Sequence, residues 1–277
     1  MRKELRSSIK QNTIIKNLYN DYKEQFLPNT QFINVNYKKI ELDFLDLNNC
    51  FFYKCYSFFL EQHDNKIIVV SRNGDINISN FSDLEKKKPK FINVKSNLNF
   101  EYILDTLVHN DEIYISGKNV DGEKTFIEIV KGKPDEKNIK FESVMKLEGK
   151  NCILSYSVHS GKIQFHNDDK SRLLISINSA GRKDEPTMET LSPDSICGKI
   201  LSVNPKDKTY EIFSSGHRNI IGLYADKNVV LSTEHGPQAG DEINKIEKGK
   251  KYGWPVVSYG EKYKRNKSNA NPTYKKN

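Results

Sequence analysis

The chain has 277 residues, enough for one large or two small domains with a real core. It is polar, 36% hydrophobic and 29% charged, but its 14 Tyr and 14 Phe exclude wholesale disorder. The net charge of +8 comes from lysines spread along the chain, with short runs such as Lys86-Lys87-Lys88 and Lys275-Lys276. That pattern reads as a solvated face, and no nucleic-acid-binding module accompanies it.

Residues 1–26 carry Ile15, Leu18, Tyr19, Tyr22 and Phe26 on one face of a helical repeat, which predicts a short amphipathic N-terminal helix. The segment lacks the apolar core of an export signal, so either export is absent or the natural precursor starts upstream. No apolar run approaches the roughly 18 residues of a membrane helix, so no membrane span is expected. Cys50, Cys55, Cys152 and Cys197 lack paired zinc-ligand spacing. Cys50 and Cys55 suit either a bridge in an oxidising compartment or buried free thiols.

From about residue 60 the pattern turns to short strands separated by Gly, Asn, Asp and Pro. Ile67–Ser71 and Asp75–Ile78 flank Arg72-Asn73-Gly74, a strong hairpin signal. The same apolar strand ending in serine recurs at Ile113–Ser116, Leu173–Ser176 and Val229–Ser232, about every 45 to 60 residues. An all-strand repeat of this length fits a four-stranded propeller blade, and a β-sandwich with accidental strand similarity remains the alternative. The boundaries drawn are 1–26 for the helical segment, 27–260 for blades, and 261–277 for a polar tail or the start of a further blade.

Chemistry concentrates where the strands break. Residues 214–219 read Ser-Ser-Gly-His-Arg-Asn, residues 234–244 read Glu-His-Gly-Pro-Gln-Ala-Gly-Asp-Glu-Ile-Asn, and Lys251-Tyr252-Gly253-Trp254-Pro255 follows. Arg218 is a natural clamp for an anion, because its planar fork matches a carboxylate. Glu234, Asp241 and Glu242 offer hard oxygens that suit calcium rather than zinc. Trp254 is either core or a stacking wall.

This stretch, with Cys197-Gly198-Lys199-Ile200-Leu201-Ser202-Val203-Asn204-Pro205 before it, closely resembles the signature of the soluble PQQ-dependent glucose and aldose dehydrogenases. The resemblance is specific over residues 159–260. Departures are Ile220-Ile221 after Asn219 where Pro-Gln is usual, and Ala239 in place of a glycine. The resemblance implies an all-β, six-bladed β-propeller, of which about four blades are present. It also implies PQQ and calcium as cofactors. On this mapping Arg218 and Asn219 contact PQQ, and the carbonyls of Gly236 and Pro237 face its calcium. Glu242 and Tyr252 match a further, structural calcium site, the tyrosine through its carbonyl.

The catalytic base expected from the resemblance is His159, in His159-Ser160-Gly161-Lys162-Ile163, with His166 as the rival. His217 and His235 are assigned to loop packing and hydrogen bonding, and His63 and His109 read as surface or satisfied polar residues. The implied reaction oxidises the anomeric carbon of an aldose to a lactone and passes electrons to an external acceptor. The rival function is a non-catalytic calcium-binding propeller that binds a glycan or a protein partner. The family habit implies a periplasmic or extracellular location. The cationic groups that later blades supply in the family are not found before Asn277, so an incomplete ring is expected.

Overall fold

The computed structural model describes residues 58–84, 86, 89–121, 124–148, 160–166, 171–179, 188–226 and 228–261. The expected N-terminal helix over 1–26, His159 and the tail after Glu261 lie outside the described residues. All described residues belong to one compact unit, Glu41–Asn277.

The described part of that unit is nearly all β. Its described strands form four sheets. The first sheet is β1 (Phe58–His63), β2 (Lys66–Ser71), β3 (Ile76–Asn80) and β4 (Ile92–Ser96), with the two-residue β8 (Asn138–Ile139) added parallel to β4. The second is β5 (Tyr102–His109), β6 (Glu112–Asp121), β7 (Lys124–Gly132) and β9 (Glu142–Glu148). The third is β10 (Ile163–Phe165), β11 (Leu173–Ile177), β12 (Lys199–Asn204) and β13 (Thr209–Ser215), and the fourth is β14 (Ile220–Ala225), β15 (Val230–Glu234) and β16 (Glu242–Ile246). Apart from β8, each sheet is an antiparallel meander. The expected hairpin is β2–β3, with Gly74 at φ 98°, a conformation that favours glycine.

The serine-ended repeat marks one position in every sheet. Ser71, Ser116, Ser176 and Ser232 all lie on the second strand of their sheets. The first strands of successive sheets adjoin, β1 with β5, β5 with β10 and β10 with β14, which is how propeller blades meet at an axis.

The core lies between the sheets, and period-2 alternation produces it. On β11, Leu173, Ile175 and Ile177 pack toward the second sheet with Leu104, Ile127 and Val144, while Leu174 joins Phe213, Ile220 and Val230 toward the fourth. Both faces are covered, so β11 is buried throughout rather than alternating, with Ser176 its one polar residue. Truncating one such side chain to alanine costs about 2–5 kcal/mol.

Carboxylates join the first strands. Glu61 of β1 accepts hydrogen bonds from Thr106 Oγ1 at 2.6 Å and from the Val108 amide at 3.2 Å, both on β5. Asp105 of β5 does the same to β10, accepting from the Ile163 amide at 3.0 Å and pairing with Lys162 Nζ at 3.1 Å. Burial pushes both carboxyls above their ordinary range, and hydrogen bonding and Lys162 offset this only in part. Asp105→Ala strands the Ile163 amide and leaves Lys162 only the Leu104 carbonyl, and should lower stability by about 2–4 kcal/mol. A carboxyl with a raised folded pKa stabilises most below its unfolded pKa and loses that contribution as pH rises through the folded value. The stability difference between wild type and Asp105→Asn should therefore move in favour of the asparagine variant from pH 4 to pH 8. Urea unfolding across that range checks the sign, and a shift toward wild type would contradict it.

Candidate active site

The site is built at the ends of strands in the fourth sheet, by loops 216–219, 235–241 and 249–255. The Tyr252 amide donates to Ser215 O at 2.9 Å, the Trp254 amide to Gly216 O at 3.0 Å, and the His235 amide to Asn219 O at 2.9 Å. Gly216 has φ 80°, and a β-carbon there would lie 2.8 Å from the Gly253 nitrogen, so only glycine lets the two loops approach. The third sheet is tied in by Ser179, whose amide donates to Arg218 O at 2.9 Å.

A buried polar chain fixes the Arg218 backbone. His217 has no exposed surface, and its Nε2 lies 2.8 Å from Ser214 Oγ. Its Nδ1 lies 3.1 Å from Glu234 Oε2, and its ring stacks on Tyr252 at 4.8 Å. The other Glu234 oxygen accepts the Arg218 amide hydrogen. The Tyr252 hydroxyl donates to Lys245 O at 2.6 Å and accepts from the Glu247 amide at 2.8 Å, and burial raises its pKa. Glu234, one of three candidate oxygen ligands from sequence, is thereby committed to holding the loop. His217 has the hydrogen-bonding part expected of it.

The Arg218 guanidinium donates from Nη1 to the carbonyls of His235 at 2.9 Å and Gly236 at 2.7 Å, and sits 5.4 Å over the Trp254 ring. Trp254 is 6% exposed, so it is core, and the guanidinium over its ring is a cation–π contact. Asn219 is buried and its Oδ1 makes no hydrogen bond. The Gly236 amide donates to Asp241 Oδ1 at 3.1 Å, which fixes the loop that presents the Gly236 carbonyl. Ala239, where the resemblance has glycine, adopts φ 60°, a left-handed conformation that costs a non-glycine residue about 1–2 kcal/mol.

Glu242 lies directly across from Glu234 in the β15–β16 register. Burial raises its carboxyl pKa, and the Glu234 charge adds to the shift despite a 3.0 Å hydrogen bond from Asn244 Nδ2. Two facing carboxylates are unfavourable unless a cation sits near them. Both line a cleft of about 220 Å³ with Thr233, His235 and Asp241.

Of the residues singled out from sequence, Arg218, Asn219 and Gly236 come together. Pro237 is buried beside them, against Gly260. Glu242 and Tyr252 flank the His217–Glu234 chain. His159 lies outside the described residues. The Gly161 amide donates to Ser176 O at 2.8 Å, so the entrance of β10 lies at the end where Ser179 meets Arg218. His166 pairs with Arg172 past the other end of β10 and packs edge-on against Phe213. Sequence reasoning missed Lys199, which is 2% exposed and donates to Thr190 O and Cys197 O; burial and Lys251 lower its pKa. Cys197 is disulfide-bonded, not a free thiol, and its partner lies outside the described residues.

Residues 57–277 match the family model described as glucose/sorbosone dehydrogenase. The chain is 34% identical over 118 residues to the aldose sugar dehydrogenase YliI of Escherichia coli strain K12, an alignment covering 37% of this chain and 30% of that protein. The chain thus spans under a third of the length of the curated relatives it matches. Among solved structures, a glucose dehydrogenase superposes with a TM-score of 0.63 at 21% identity, covering 79% of this chain and 68% of that one. The PQQ-bound aldose sugar dehydrogenase of Streptomyces coelicolor superposes with a TM-score of 0.52 at 21% identity, covering 78% and 66%. At such identity the superpositions show a shared fold, while the family match covers most of the sequence. The chain belongs to the glucose/sorbosone dehydrogenase family, among the soluble PQQ-dependent sugar dehydrogenases.

Proposed function

We propose that the protein acts as a quinoprotein that oxidises the anomeric carbon of an aldose to a lactone and passes two electrons to an external acceptor. The observation that carries this reading is the arrangement around Arg218. A guanidinium, a buried Asn219 oxygen without a partner and two backbone carbonyls converge at one strand end, beside an aromatic wall. That donor set suits a polyanionic cofactor held together with a hard cation. The four described sheets are read as four blades of a six-bladed ring. The Cys197 disulfide supports an oxidising location, periplasmic or extracellular.

PQQ, when bound, supplies an orthoquinone that accepts two electrons. The chain's own groups do the rest. Arg218 neutralises a cofactor carboxylate, and Trp254 shields it from water. Asn219 Oδ1 lies on the same loop and offers an acceptor to the bound group. The carbonyls of Gly236 and Pro237 hold calcium, and Glu242 with the Tyr252 carbonyl holds a second, structural calcium. His159, assigned from the sequence motif, takes the proton from the anomeric hydroxyl as a neutral imidazole.

Reconstitution with PQQ and excess calcium, followed by aldose oxidation with an artificial electron acceptor, tests the reading. Trp254 is the single tryptophan, so quenching of its fluorescence reports PQQ binding separately from turnover. His159→Gln should abolish turnover while leaving PQQ affinity within about threefold, whereas Arg218→Met should weaken PQQ binding at least about tenfold. Turnover that survives His159→Gln but not His166→Gln would transfer the base to His166. Absence of any aldose-dependent reduction would sink the reading.

The calcium assignment gives a second measurement. Chelation should lower the melting temperature, calcium should restore it better than magnesium, and Glu242→Gln should remove that difference. Because the Glu242 pKa is raised, its ionised form costs the metal-free fold stability above that pKa and costs nothing below the unfolded value near about 4.3. In chelator, Glu242→Gln should therefore melt higher than wild type at pH 7.5, and the advantage should fade by pH 4. Equal rescue by both ions counts against the site.

A further inference from the structure

The strand ends away from Arg218 hold a side-chain cluster that the dehydrogenase reading leaves unused. His63 is the last residue of β1, and Asp64 follows it in the turn to β2. Asp111 occupies the turn between β5 and β6, where it and Asn110 both have positive φ, 61° and 48°. The two hairpin tips belong to neighbouring sheets.

His63 Nε2 is buried and makes no hydrogen bond, yet it stands 3.4 Å from Asp111 Oδ1. On the other side of the ring, Nδ1 is 3.8 Å from Asp64 Oδ2. One ligand atom from each of the three residues lies within 4.8 Å of the others. Among the described residues neither aspartate has a Lys or Arg partner; the nearby Lys66 pairs with Glu136 at 2.9 Å. Two carboxylates therefore flank the imidazole from exposed turns, Asp111 at Nε2 and Asp64 at Nδ1, and the buried Nε2 keeps a lone pair or proton unused that a bound cation would satisfy.

The chemistry of the set selects the cation. An imidazole nitrogen with carboxylate oxygens suits a borderline metal such as zinc better than calcium or magnesium, which take oxygen. Tetrahedral zinc bonds of about 2.0–2.1 Å place neighbouring ligand atoms about 3.3 Å apart. The 3.4 Å separation of His63 Nε2 from Asp111 Oδ1 matches that edge. The Asp64 side chain is 79% exposed and can close the remaining gap by rotating freely, leaving the fourth position to water.

We propose that His63, Asp64 and Asp111 form a zinc site that clamps the β1–β2 tip of the first sheet to the β5–β6 tip of the second. Its role is to staple two sheets that meet through side chains rather than a backbone ladder. The site is independent of PQQ and of the calcium positions.

The test is titration of zinc alone into the tag-free, metal-stripped chain held in excess calcium, read by calorimetry and thermal melting. The expected result is one equivalent bound, a rise in melting temperature, and no such rise with magnesium. Asp111→Asn keeps a side chain that tolerates left-handed backbone and lies on the exposed turn, so its fold is retained. That variant and His63→Gln should each weaken zinc binding at least tenfold. A wild-type chain that shows no zinc-dependent shift, or a shift that persists in both variants, overturns the site.

Discussion

Among the described residues neighbouring sheets share almost no backbone ladder, and half-buried carboxylates tie together the first strands of the first three sheets. Glu61 reaches from β1 to the Val108 amide, and Asp105 reaches from β5 to the Ile163 amide. A carboxylate suits this role because its lone pairs can satisfy several donors that no neighbouring strand would otherwise meet. The desolvation that raises both pKa values measures what this arrangement costs. Without such bridges, the apolar faces between sheets would resist separation but would not fix one sliding position over another.

The same device recurs at the candidate site on a smaller scale. Glu234 accepts the Arg218 amide with one oxygen and meets His217 with the other, so a single buried carboxylate sets both the loop backbone and the imidazole. His217 is in turn pinned by Ser214 and Tyr252. Arg218 can present its guanidinium at a strand end because its own backbone is immobilised from beneath. Such a support would preorganise the guanidinium for a ligand, and it accounts for the polar residues that crowd beneath these loops.

The two ends of the inner strands carry different chemistry. At the Arg218 end, carbonyls, a guanidinium and facing carboxylates lie together, a mixture suited to an anion and a hard cation at once. At the hairpin tips, an imidazole stands between two aspartates that have no Lys or Arg partner among the described residues. Strand direction separates the two. β14 begins at the site loops and β10 begins at the end where Ser179 meets Arg218, while β1 and β5 end at the hairpin tips, so residues a few positions apart in sequence serve opposite ends. This is why Gly161 and His166, both adjacent to β10, stand in different surroundings.

Much was legible in the sequence because it depends on local periodicity. The serine-ended strands at 71, 116, 176 and 232 mark the second strand of each sheet, since each repeat must present the same alternation to two neighbours. The motif at 214–255 was legible as well, because tight loops need Gly and Pro at fixed places and ligand-binding loops need charge beside them. The roles of Glu234, Glu61 and Asp105 were not legible, because their partners lie on other loops and sheets and an acidic residue in a strand looks the same whether it faces water or a buried amide. The burial of Lys199 and the pairing of Asp111 with His63 were hidden for the same reason. Sequence alone determined one recurring strand in each sheet and where the chemistry concentrates, since both follow from side-chain pattern along the chain. Only the tertiary structure decided which polar groups meet, because that depends on the distance between chain segments far apart in sequence.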